Sequence, residues 1–231
     1  EGDILEGRVP GHHAERIFEA VKRFRSHWMH YHRPEDVNQL LRLFPAVRLP
    51  RGHMLDYLPI GGVETGWIFP FARRDVVSAG ESPSPPALAA IERDRMAGKR
   101  GSGELRRLEV EHLYRHLSYE ASPTGLFEYA FFIGELWATK SASKARDWLD
   151  LEPIFTKRQF DSLVRGARQV VRVVRPDSCD PLTRSAPAGG GQVEFLVFRG
   201  GAWRPIFRLR STIDAEGGVR REPGEVLANL S

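Results

Sequence analysis

The chain has 231 residues, 41% hydrophobic and 10% aromatic, which is enough for one large domain or two small ones around an ordinary core. Its 34 Lys+Arg face 30 Asp+Glu, a formal charge of +4. No run of about 18 apolar residues exists to form a membrane-spanning helix, and nothing repeats at a solenoid period; collagenous and wholly disordered classes are excluded as well.

The chain begins at Glu1 with no methionine and no apolar leader core follows, which reads as part of a longer cytoplasmic protein. Residues 13 to 31 place Ile17, Phe18, Val21, Phe24, Trp28 and Tyr31 at helical spacing, predicting one apolar stripe. Pro34 starts a second helix with Val37, Leu40, Leu41 and Phe44 on its buried face, and Pro45 stops it. Met54 to Ile60 and Gly66 to Phe71 then flank Gly61-Gly62 as a hairpin, with Pro59 and Pro70 marking edges or bulges.

Residues 78 to 86 lack apolar periodicity and read as an exposed connection. Helices follow at 86 to 97 and 104 to 119, joined by the glycine-rich stretch 97 to 103, which lacks the Gly-Lys-Ser/Thr ending of a phosphate loop and reads as a flexible linker. Leu126 to Ile133, a Gly134-Glu135 turn and Leu136 to Thr139 read as strands. Residues 147 to 155 either continue that sheet or open on a helical turn at Asp147 to Asp150. Thr156 and Gln159 form a capping box for a helix from 157 to about 166 that buries Phe160, Leu163 and Val164.

A strand at Val170 to Arg175 leads into a long loop carrying Cys179. One cysteine allows no internal disulfide and no thiolate zinc site, and the flanking Asp177 and Asp180 argue against a nucleophile. Val193 to Arg199 and Ala202 to Leu209 flank Gly200-Gly201 as a hairpin with a two-residue turn, and the polar tail after Asp214 is expected to fray. The fold class is therefore α+β, a mostly antiparallel sheet of hairpins packed with N-terminal and central helices. Residues 1–231 read as a single composite domain, divisible into 1–77 and 104–214 with a flexible connection at 78–103.

Two stretches, Leu49-Pro50-Arg51-Gly52-His53-Met54-Leu55-Asp56-Tyr57 and Ser122-Pro123-Thr124-Gly125-Leu126-Phe127, are similar to a pattern of an uncharacterised bacterial protein family. The resemblance implies a bacterial origin and carries no activity.

Chemistry-bearing groups are sparse. His27, His30 and His32, with His12 and His13 upstream, lack a converging carboxylate for a zinc site. Glu109, His112, His116 and Glu120 fall on one stripe of the expected helix 104–119, a weak metal or proton-transfer candidate, although the same residues suit surface pairs with Arg106 and Arg115. No serine elbow, convincing carboxylate pair or cofactor motif is legible, so no cofactor is assigned.

The remaining signal is arginine, 29 residues against only five lysines. GC-rich coding is the plainer account of that excess and choice of arginine for its planar fork, which binds phosphate or carboxylate with two hydrogen bonds, is the sharper one; position decides between them. Residues 151–231 hold thirteen basic and nine acidic residues and so the entire net charge, and 157–175 holds six basic residues against Asp161 alone. Strand alternation puts Arg204, Arg208 and Arg210 on one face, and with Arg165, Arg168 and Arg172 they are the expected basic surface. The plainer reading is a solvated sheet face, for which long-stemmed arginine is a sound residue. The functional expectation is a noncatalytic binding or regulatory protein that engages an acidic partner, most readily another protein. The alternatives are nucleic-acid binding and a hydrolase using His112, His116 and Glu109.

Overall fold

A computed structural model describes residues 6–31, 37–60, 67–74, 103–138, 150–186, 189–200 and 204–230. The expected helix 86–97, the connection 78–102 and the turn at Gly61-Gly62 lie outside these residues.

The elements in chain order are β1 (Glu6–Arg8), α1 (Gly11–Tyr31), α2 (Val37–Leu41), β2 (Val47–Arg48), β3 (His53–Ile60), β4 (Trp67–Arg74) and α3 (Gly103–His112). A 3-10 turn at Tyr114–His116 follows, then β5 (Ser118–Tyr119), α4 (Pro123–Ala138), β6 (Leu151–Ile154), α5 (Lys157–Gly166) and β7 (Val170–Val173). The last four strands are β8 (Leu182–Ser185), β9 (Gly191–Arg199), β10 (Arg204–Ile213) and β11 (Val219–Leu230). The result is α+β, with a curled, mostly antiparallel sheet.

That sheet runs β1-β8-β9-β10-β11-β7, and β6 pairs with the far end of β9. Two small pairs complete the strands: β2 with β5, and the expected hairpin β3 with β4. Helix α4 lies against the sheet, touching β1, β8, β9, β10 and β11, and on its other sides meets α2, β2 and β5. Phe18 of α1, Phe127 and Phe131 of α4, Phe155 and Phe195 of β9 form the aromatic centre, with ring centroids 5.6–6.5 Å apart. On the opposite face of the sheet, α5 lays Phe160, Leu163 and Val164 over Leu196, Ile206, Ala228 and Leu230.

Helix α4 overturns the strands expected at Leu126–Ile133 and Leu136–Thr139. Ser122 caps it by accepting the Gly125 N–H at 3.0 Å, and Pro123 occupies the first helical position, where its missing N–H costs nothing. Residues 125–136 are all buried, so the helix has no polar stripe from which a helical period could be read. The expected helix 104–119 is shorter: it stops at His112, turns through Tyr114–His116, and continues as β5 against β2.

The tail does not fray. Val219–Leu230 is the longest strand among the described residues, paired with β10 on one side and β7 on the other. Pro223 and Gly224 stand among the register shifts of the β10–β11 pair, where a bulge tolerates a residue with no N–H. Part of the expected loop before Gly189 is β8, paired with β9 and β1. The β9–β10 register sets Ile206 opposite Phe198, so the connection is longer than the two-residue Gly200-Gly201 turn, which would have set Arg199 opposite Ala202.

Candidate functional site

The sheet register decides what the C-terminal arginines face. Arg210 on β10 stands opposite Glu194 of β9 and opposite Glu222 of β11. Its Nε donates to Glu194 Oε1 at 2.8 Å. Arg208 Nε lies 3.8 Å from Glu225 Oε2, and Arg184 of β8 donates to Glu6 at 2.9 Å while its guanidinium approaches Glu194 at 4.0 Å. Arg204 is exposed at the start of β10, opposite Leu230. Arg208 and Arg210 thus belong to a ladder of alternating charge across five strands, from Glu6 of β1 to Glu222 and Glu225 of β11, in which cross-strand pairing offsets their charge.

Arg165, Arg168 and Arg172 occupy a different place. Arg165 lies in the last turn of α5, where a cation complements the helix dipole, and its Nε donates to the Asp161 carbonyl at 3.2 Å. Arg168 and Arg172 are exposed, in the link from α5 to β7 and on β7 itself, and Arg175 just beyond reaches Asp161 at 3.4 Å. Asp161 is the only acidic residue between 157 and 175.

Arg168 and Arg172 stand at and beside a sheet edge that no described strand pairs. β7 ends the strand order, with β11 on one side and no described strand on the other. The Val174 N–H donates to Leu227 at 2.7 Å, so the alternation of an antiparallel ladder turns the peptide groups of Val173 to the free edge. The register then steps from Arg172–Asn229 to Val170–Leu230 and leaves Val171 unopposed. Val171 is 68% exposed and Val170 38%; with Val226 at 42% they are the exposed large hydrophobics among the described residues. Sequence reading found the arginines of this patch but not its valines, because the edge exists only once the tail is known to be a strand.

The histidine candidates do not assemble as a metal site. Helix α3 ends at His112, which takes His116 off the stripe of Glu109 and His112, and Glu120 lies beyond β5. Among the described residues, no group of three or more His, Cys, Asp or Glu is arranged to hold a metal ion. Glu109 is instead buried in the packing of α3. His13 serves structure: its Nε2 lies 3.0 Å from Oε1 of the fully buried Glu128, whose Oε2 accepts the Ala46 N–H at 2.7 Å. The side chains of His27 and His30, and all of His32, lie outside the described residues.

A cleft of about 340 Å³ opens between the N-termini of α1 and α5, lined by His12, Lys157, Asp177, Cys179 and Asp180 among others. Asp180 Oδ1 accepts the Gly11 N–H at 2.8 Å and so caps α1 from a distant loop. Burial pushes the Cys179 thiol above its ordinary range, which leaves it protonated and a poor nucleophile at neutral pH. No helix among the described residues is long and apolar enough to cross a membrane.

Comparison with family models, with curated proteins and with solved structures finds no match for this chain. That outcome is consistent with its resemblance to an uncharacterised family.

Proposed function

We propose that this is a noncatalytic binding protein that captures an acidic, extended segment of a partner protein along the free edge of β7. The supporting observation is the coincidence of a strand edge that no described strand pairs, exposed Val170 and Val171, and Arg165, Arg168, Arg172 and Arg175 with Asp161 as the one acidic residue in that stretch of chain. An incoming strand would gain main-chain hydrogen bonds from the edge, apolar contact from the valines and charge complementarity from the arginines. The short strand, its bulge and its cations also discourage pairing with a second copy, since two such edges would repel. The same charges that repel a copy attract a strand rich in Asp and Glu.

The test is fluorescence anisotropy with two labelled peptides of identical alternating Val/Thr pattern, one acidic and one basic. The acidic peptide is expected to bind, with slower hydrogen exchange at the Val173 amide. Joint replacement of Arg165, Arg168, Arg172 and Arg175 by Glu should weaken it at least about tenfold. Equal binding of both peptides would refute the proposal, as would loss of binding on reversing Arg204, Arg208 and Arg210 while the β7 reversal does nothing.

A further inference from the structure

The turn between β2 and β3, the 3-10 turn after α3 and the end of α3 bring three histidines together. Gly52, with φ of 74°, takes the left-handed conformation that reverses the chain, and the His53 N–H donates back to Pro50 at 3.0 Å. This sets the His53 ring on the His116 ring, with centroids 5.8 Å apart and planes 26° from parallel. Arg115 Nε donates to His116 Nε2 at 3.3 Å, so that nitrogen is the unprotonated one. His112 ends α3, close enough that its charge acts on the His116 ring.

Several cations lie close to this cluster in the fold and the chain. Burial and then Arg115, His53 and His112 all hold His116 below the ordinary histidine range, and only the Glu111 backbone carbonyl favours its protonated form. Arg74 stands opposite His53 in the β3–β4 register, and Arg51 and Arg48 precede His53 in the chain. Of the neighbouring carboxylates, Glu111 pairs with Arg107 at 3.4 Å and Asp56 with Arg73 at 2.5 Å. Protonating His116 would set a ring N–H against the Arg115 N–H, two donors with no acceptor between them.

We propose that His53, His112, His116 and Arg115 form a binding site for a small tetrahedral oxyanion, a phosphate or phosphomonoester. An anion beside the stacked rings supplies the missing acceptor: Arg115 turns from the ring to the anion, and protonated His116, together with a ring N–H of His53, donates to it. Binding therefore takes up protons and tightens as pH falls. The site is separate from β7 and its arginines, and stands or fails without them.

The first probe is sulfate, which keeps its charge across the histidine range and so isolates the protein's own titration. Histidine ring signals are followed by NMR at about pH 5.5 and about pH 8, against chloride at equal ionic strength. His53, His112 and His116 are expected to shift saturably with sulfate, with affinity roughly tenfold or more higher at the lower pH. Arg115→Ala and His53→Ala, both near the surface, should each weaken binding at least about fivefold while the rest of the spectrum is kept. Titrating inorganic phosphate and glycerol 3-phosphate separately then identifies the source, the tighter of the two being the ligand type. Shifts no larger with sulfate than with chloride, or full affinity in Arg115→Ala, would overturn the assignment.

Discussion

Glu135→Gln removes one charge and almost no volume from the ion cluster between α4, α1 and β11. Glu135 is 2% exposed. It accepts Arg25 Nε at 2.7 Å and a second bond from Arg25 Nη2, a two-pronged pairing that fits guanidinium to carboxylate. From β11, Arg221 enters the same region and donates Nη2 to the Ala130 carbonyl at 3.1 Å. Burial pulls the Arg221 pKa down to about 10, and the Glu135 charge is the largest influence opposing that fall. With glutamine in place, the two guanidiniums lose the carboxylate that compensates them. Removing one partner of a buried pair costs about 3–5 kcal/mol, a large part of the roughly 5–15 kcal/mol that holds a domain folded. Urea unfolding should show that loss as a lower midpoint at unchanged slope. The triple variant Arg25→Met, Glu135→Leu, Arg221→Met should recover most of it, because apolar side chains of similar size avoid the desolvation cost. A single variant within about 1 kcal/mol of wild type would refute the reasoning, as would a triple variant no more stable than the single one.

Three further outcomes follow from local geometry. Gly125→Ala should destabilise by about 1–3 kcal/mol although helix propensity alone favours alanine by about 1 kcal/mol, because the new Cβ would press on the Glu120 carbonyl, whose carbon is 2.9 Å away. Glu120 is itself tied to Ala46 at 2.9 Å, so a gain in urea midpoint would contradict the packing. Thr156→Ala removes the acceptor for the Gln159 N–H at 3.2 Å and should cost about 1 kcal/mol, with faster amide exchange in the first turn of α5; an unchanged exchange rate would count against it. His116 is held below 6.5 in the folded state, so between that lowered value and 6.5 the unfolded chain binds more protons. Its contribution is therefore intact above about pH 6.5, shrinks as pH falls through the window and is constant below it. The stability of wild type relative to His116→Gln, from urea midpoints in chloride buffer, should fall on acidification; a rise would refute the sign.

The elements legible in the sequence are those whose signal is local. The α1 stripe of Ile17, Phe18 and Val21 is buried as the helical period requires, and the Thr156–Gln159 capping box is present with both of its bonds. Helix α4 failed that reading for a tertiary reason, since a segment packed on every side has no solvent face to set a period. Its Gly134-Glu135, which resembles a turn, is where the Arg221 guanidinium packs so closely that a Cβ at 134 would displace it. Ser122-Pro123, a cap followed by a first-position proline, was the local signal that could have corrected the strand assignment.

The candidate site turned on one misread segment, the tail. Read as a fraying end, residues after Asp214 leave Glu222 and Glu225 in solvent and Arg208 and Arg210 as a bare basic face. Once Val219–Leu230 is a strand, Glu222 faces Arg210 across the ladder and Glu225 comes beside Arg208, while Glu194 approaches from β9. The basic character of the hairpin is offset by its own neighbours, which counting charges along the chain could not reveal because pairing follows register. The same strand occupies the position next to β10 and places β7 at the end of the sheet. β7 and the link from α5 carry Arg172 and Arg168, part of the stretch 157–175 in which six basic residues stand against Asp161 alone. One strand therefore quiets the arginines most visible in the sequence and leaves those of α5 and β7 near exposed Val170 and Val171, which is why the proposed binding surface lies there rather than on the hairpin.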